Sequence, residues 1–169
     1  MSTVPRIAVR SLREAFALQP DLFEAFWDLY GTVWMDGVVD HTTKEVTRLR
    51  NARITDCGYC QRVRFSVARD DGLDEGTVSL VDDSFESAAL SERHKAAIRL
   101  ADRYIAVPGR PREVGTQIFT AEEDRELGVA MAMFIGFAKM LITLGLEPED
   151  MPVTVVATPG SDRRASAAG

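Results

Sequence analysis

Apolar residues recur along this chain at three- and four-residue intervals, and no run sustains the alternation of a strand. The pattern predicts a first helix over residues 11–18, with Ser11 as cap and Glu14 three residues on, a capping-box arrangement. Pro20 ends it or opens the next helix, over residues 21–34. There Leu22, Phe23, Phe26, Trp27, Tyr30 and Trp34 form an aromatic stripe, read as core packing. Thr42 or Thr43 caps a helix running from Lys44 to about Ile54. Asp56 stands where an N-cap would start another, continuing through the cysteines to Arg69 and stopped by Gly72. A short helix over 74–81 follows, then one from Ser91 to near Val107, where Pro108, Gly109 and Pro111 break the pattern. Thr120 with Glu123 forms a second capping box, opening a long helix that closes at Leu144 on Gly145, with Pro148 beyond. The run PGSDRRASAAG reads as a flexible tail. The expected fold is all-α, with a helical extension over 1–37, one domain over 38–158 and the tail over 159–169.

The long helix changes this picture in two ways. Residues 127–146 are long enough to span a bilayer and hold one charge, Lys139. They continue an acidic start, TAEEDRE, without a second span or basic flank, which fits a helix buried in a soluble protein. One face carries Leu127, Ala130, Met131, Phe134, Ala138, Leu141 and Ile142; a second carries Val129, Met133, Phe137, Met140 and Leu144. A short chain rarely buries both faces by itself, so the second predicts a symmetric homo-oligomer.

Composition narrows the classes. With 169 residues, 46% of them hydrophobic, the chain suits one globular domain with a sizeable core. A net charge of −6 argues against nucleic-acid binding, which needs a basic face. The N-terminal stretch shows no secretory signal, and two cysteines do not make a secreted disulfide framework. The expected setting is cytoplasmic, with neither nucleic acid nor membrane as partner.

Those two cysteines lie together, in ITDCGYCQRVR. With Asp56 as cap, Cys57 and Cys60 fall in the first turn of a helix and on one face, where unsatisfied N–H groups favour a thiolate. Tyr59 between them can shape a pocket or hydrogen-bond. Arg48, Arg50, Arg53, Arg62, Arg64 and Arg69 crowd the two helices, most of them read as a solvated or salt-bridged face. Arg64, four residues after Cys60, falls on the same helical face and can stabilise its anion. Glu45, with Leu49 and Ala52 on its face, leans inward and can exchange protons with a thiol. His41 precedes Glu45 by one turn and can approach the site, whereas His94 reads as solvent-facing. Zinc needs two further ligands, which only pairs shared between subunits would supply.

Glu45, eleven intervening residues, Cys57-Gly-Tyr-Cys60, and a helix ending in Asp-Gly-Leu together resemble the alkylhydroperoxidase D (AhpD)-like, carboxymuconolactone decarboxylase superfamily. The downstream FTAEEDRELGVAMAMFIGFAKMLITLGLEPED is similar to its closing helix and Gly-Leu-Glu-Pro exit, so the resemblance spans roughly residues 38–150. It implies an all-helical, AhpD-like bundle assembling as homotrimers or homohexamers, with no cofactor and no metal. In the redox branch Cys60 attacks a hydroperoxide and becomes a sulfenic acid, Cys57 resolves it as a disulfide, and Glu45 heads a proton relay. An external dithiol reductant restores the pair, in a role of antioxidant defence. The family's relay histidine, four residues after the second cysteine, is Arg64 here; arginine holds a thiolate but does not shuttle protons. The rivals are a decarboxylase-like enzyme acting on lactone acids, whose branch generally lacks the C-x-x-C pair, and a non-enzymatic, redox-sensitive oligomer.

Overall fold

The structure is a computed structural model that describes residues 11–106, 118–147 and 150–162. Its helices are α1 (Leu12–Ala17), α2 (Pro20–Met35), α3 (His41–Ile54), α4 (Gly58–Arg62), α5 (Ser66–Asp70), α6 (Glu75–Ser79), α7 (Glu92–Ala106) and α8 (Ala121–Leu144). Two short strands, β1 (Val63–Phe65) and β2 (Thr154–Val156), pair in parallel, with Val63 opposite Thr154 and Phe65 opposite Val156. The all-α expectation therefore holds apart from this small sheet. The break after Ala106, expected at Pro108–Pro111, lies outside the described residues.

The centre of the fold is α3, packed against α7 on one side and α8 on the other. Its polarity makes that position costly. It buries Thr43, Lys44, Glu45, Thr47, Arg48, Arg50 and Asn51 alongside Val46, Leu49 and Ala52. Buried charges persist only when paired and hydrogen-bonded, and here each one is. Lys44 Nζ lies 2.7 Å from Glu126 of α8 and also donates to the Trp34 carbonyl. Arg50 bridges Asp102 of α7 and Asp83, at 2.6 and 2.9 Å. Glu126 spends its other oxygen on the Val38 and Val39 N–H groups, fixing the link from α2 to α3. A Cβ at Gly37 would lie 2.0 Å from the same carboxylate, so only glycine leaves room for it. Of the two readings the sequence left for the arginines, a solvated face or salt-bridge partners, the second holds for Arg48, Arg50 and Arg64, which are buried and paired with acids.

Several ends follow local chemistry. Thr120 accepts the Glu123 N–H while Glu123 reaches back to Thr120, the reciprocal capping box that opens α8. Gly145 closes that helix at φ 69°, the left-handed region where a side chain is costly. Ser11 caps α1 as expected. The cap of α3 is Asp40 rather than Thr42 or Thr43, because its carboxylate takes both the Thr43 N–H and the Thr43 hydroxyl. At the boundary expected for the tail, Thr158 and Pro159 are buried and Thr158 binds Ser66 and Val67. Residues 163–169 lie outside the described residues.

Among the described residues α8 is the one helix long and apolar enough to cross a membrane. It buries Leu127, Ala130, Met131, Phe134, Ala138 and Leu141 against the bundle. Its second face is split: Met133 is buried, Val129 is exposed, and Phe137 and Met140 border an apolar cavity of about 360 Å³ shared with α1 and α2.

Asp40 generates a pH-dependence. Burial pushes its carboxyl up, but hydrogen bonds from Thr42, Thr43 and Arg93 outweigh this and hold it well below the usual carboxylate range. A folded pKa below the unfolded value of about 4 adds stability that is present above that pH. It is lost as pH falls toward the folded value. Asp40→Ala is expected to cost about 1–2 kcal/mol near neutrality, read by urea unfolding. The gap to the unsubstituted protein should close progressively below about pH 4.

Candidate functional site

The end of α3 builds the cysteine turn. Ile54 is its last helical residue, and Asp56 adopts φ 54°, which aspartate tolerates better than most side chains. The Asp56 N–H then returns to the Arg53 carbonyl and the Cys57 N–H to the Ala52 carbonyl, at 3.2 and 3.0 Å, the double closure of a Schellman end. Asp56 therefore finishes α3 instead of starting the next helix. Cys57 is the N-cap of α4, and its sulfur accepts the Cys60 N–H at 3.3 Å. The two sulfurs are joined in a disulfide.

The helix expected to run on to Arg69 stops at Arg62 and gives way to β1. The cause lies in Glu45 and Arg48, both almost fully buried. Arg48 clasps the Glu45 carboxylate with two hydrogen bonds, Nε to Oε2 at 2.8 Å and Nη2 to Oε1 at 2.7 Å. Its remaining donors reach the carbonyls of Cys60, at 2.9 Å, and Val63, at 2.6 Å. Glu45 Oε1 in turn accepts the Phe65 N–H at 3.2 Å. The ion pair thus satisfies backbone groups that a continuous helix would satisfy internally. The guanidinium also lies 5.1 Å from the centre of the Phe65 ring, a cation–π contact.

This break redirects Arg64. On a continuous helix it would overlie Cys60; in β1 it donates to Glu75 through Nε and Nη2, at 3.0 and 3.1 Å, and to the carbonyls of Gln61 and Val63. The helical premise that put Arg64 beside the thiol is corrected. Arg53, Arg62 and Arg69 are likewise fixed on backbone carbonyls, of Val78, Met151 and Leu73. His41 is partly buried and engaged elsewhere, its Nδ1 2.7 Å from Asp71. His94 lies against Thr42, half-buried, and burial lowers its pKa against the pull of Asp40.

Cys60 lines a cavity of about 140 Å³, together with Arg48 and Asn51 of α3 and Tyr59 of α4. Trp27 and Tyr30 of α2, Phe134 and Phe137 of α8, and Val156 of β2 complete its walls. Cys57 is fully buried and does not line it. Burial raises both phenols, with Arg48 opposing, so Tyr30 and Tyr59 remain protonated donors at neutral pH. On Arg48 burial acts to lower the pKa, but the Glu45 carboxylate outweighs it and the net direction is up.

The structure thus gathers Cys57, Cys60, Tyr59 and, through Arg48, Glu45, while Arg64 and His41 face elsewhere. Sequence reasoning passed over Arg48 as one arginine of six, although its i,i+3 spacing from Glu45 on an inward face was a usable signal. Trp27 and Tyr30, whose stripe reads as core packing in preference to a ligand pocket, line the cavity as well.

Known proteins supply the last observation. Residues 20–103 match the sequence profile of the carboxymuconolactone decarboxylase family. No protein in the curated set matches the chain. The fold is similar to the crystal structure of a protein of unknown function from Agrobacterium tumefaciens, described there as a candidate antioxidant defence protein AhpD. That likeness has a TM-score of 0.67 and 23% sequence identity, over 89% of this chain and 100% of the other. By its profile match the chain belongs to the carboxymuconolactone decarboxylase family, and its helical architecture is similar to that of the Agrobacterium protein.

Proposed function

We propose that this protein is a cytoplasmic thiol-dependent peroxidase or disulfide reductase of antioxidant defence, working through Cys57 and Cys60. The observation that carries this reading is the asymmetry of the pair: Cys60 opens onto the cavity, while Cys57 lies sealed directly behind it. A substrate entering the cavity meets only one sulfur, and the other is within disulfide reach. The description of the Agrobacterium protein points the same way.

In this reading the Cys60 thiolate attacks the terminal oxygen of a hydroperoxide, and the O–O bond breaks. The sulfur becomes a sulfenic acid, and the departing alkoxide takes a proton from the Tyr59 phenol, which solvent restores. The Cys57 thiolate then attacks the Cys60 sulfur. A disulfide forms, and the expelled hydroxide leaves as water on gaining a proton. An external dithiol reduces the disulfide by exchange and is itself oxidised. Glu45 holds Arg48, and Arg48 holds the Cys60 and Val63 carbonyls, so this pair positions the nucleophile. His41 and Arg64, engaged with Asp71 and Glu75, take no part. A decarboxylase acting on lactone acids would need a cation free to bind a carboxylate, and Arg48 is already committed to Glu45. The half-exposed apolar residues of α8 support assembly as a homotrimer or homohexamer.

Reduced protein mixed with a hydroperoxide is expected to give a trappable sulfenate at Cys60, followed by the Cys57–Cys60 disulfide. Cys57→Ser should accumulate the sulfenate and Cys60→Ser should be inert; oxidation no faster than that of a free thiol would overturn the reading. Tyr59→Phe should slow peroxide consumption about tenfold, the loss of one hydrogen bond in the transition state. The pH midpoint of Cys60 alkylation should not follow it. Light scattering of the purified protein should return three or six times the 18.7 kDa chain mass, and a monomer would remove the assembly.

A further inference from the structure

A carboxylate stands where a redox-active thiol would want none. Gly145 turns the chain off α8 in the left-handed conformation. Leu146 then packs against the cluster containing Cys57 and Cys60. The next residue, Glu147, reaches the middle of the C-x-x-C turn, and its Oε1 accepts the Gly58 N–H at 2.5 Å. Arg62 of α4 binds the Met151 carbonyl at 2.7 Å, tying the same segment to the turn a second time. Glu147 is therefore held at the cysteines from both sides, not brought there by a free surface side chain.

The amides of such a turn are the groups that stabilise a thiolate. Here the Cys60 N–H already goes to the Cys57 sulfur, and the Gly58 N–H goes to Glu147. The carboxylate removes one donor and adds a negative charge at the turn that carries the sulfurs. Among the described residues no cation lies within 4 Å of it to cancel that charge. The other charged groups around the turn are committed: Arg48 to Glu45, Arg62 to the Met151 carbonyl, and Asp56 to the Gln61 amide. Tyr59 remains neutral.

We propose that Glu147 is a positioning residue that sets the redox poise of the Cys57–Cys60 pair. By accepting the Gly58 N–H as a carboxylate it raises the energy of any thiolate in the turn. The dithiol form is thereby disfavoured and the disulfide favoured, so the pair is held on the reducing side. A thiol pair that stabilises its thiolate well is a strong oxidant when joined; Glu147 works in the opposite sense. The inference rests on the dithiol of the proposed function, but it concerns an equilibrium that needs no peroxide.

The test compares Glu147→Gln, Glu147→Asp and Glu147→Ala with the unsubstituted protein in two measurements. One is the pH midpoint of iodoacetamide alkylation of the reduced protein; the other is the equilibrium of the pair with glutathione. Glu147→Gln keeps an acceptor for Gly58 without the charge. It is expected to lower the midpoint by about one pH unit. At a pH above both midpoints it should also shift the exchange constant about tenfold toward the dithiol, or about 30 mV less negative. Glu147→Ala should shift at least as far and also lower the melting temperature, and Glu147→Asp should stay near the unsubstituted protein. Coincidence of Glu147→Gln with the unsubstituted protein in both measurements would overturn the proposal and leave Glu147 a structural peg. A shifted poise in protein that does not turn over peroxide would uphold it while sinking the peroxidase reading.

Discussion

The buried pair of Glu45 and Arg48 is the constraint around which the rest of this structure is arranged. An ion pair in a protein interior repays its desolvation only when its remaining hydrogen-bonding capacity is also used. In this molecule that capacity is used on backbone. Arg48 takes two carbonyls and Glu45 takes one N–H, all from the segment that leaves the cysteine turn. The helix therefore ends, a strand begins, and that strand recruits β2 from the far end of the chain. Charge, secondary structure and tertiary closure are three aspects of one contact.

The same economy explains how so polar a helix occupies the centre. Each buried cation of α3 has its own acid, two of them on neighbouring helices: Glu126 on α8 for Lys44, Asp102 on α7 for Arg50, and Glu45 on α3 itself for Arg48. Apolar packing would permit α7 and α8 to slide along α3, since leucine contacts are interchangeable. Paired charges are not interchangeable, so they fix register as well as proximity.

What could be read in advance separates cleanly by range. Ser11, the Thr120–Glu123 box and Gly145 act on their own helix ends, and their effects were legible from three or four residues. The C-x-x-C pair with Glu45 twelve positions earlier was legible through a family resemblance, and the structure links them through Arg48. The break at Val63 was not. It depends on donors and acceptors that arrive from α3 and on a strand partner 91 residues later, neither of which leaves a local trace. Once the helix was assumed to continue, Arg64 was necessarily misplaced, since a one-step change from helix to strand reorients every following side chain. Asp56 misled for a related reason: aspartate suits both an N-cap and a left-handed helix end, and only the hydrogen bonds tell which.

The pairing of β1 with β2 bears on how the molecule is made. Val156 and Ala157 form part of the wall over Cys60, and Thr158 anchors that wall to Val67, 91 residues away in sequence. The cysteines leave the ribosome long before this wall does. A nascent chain therefore lacks this part of the wall over Cys60 until residues 154–158 have been made. Protein translated as far as α8 would hold every side chain of the cysteine turn and still lack the enclosure around it.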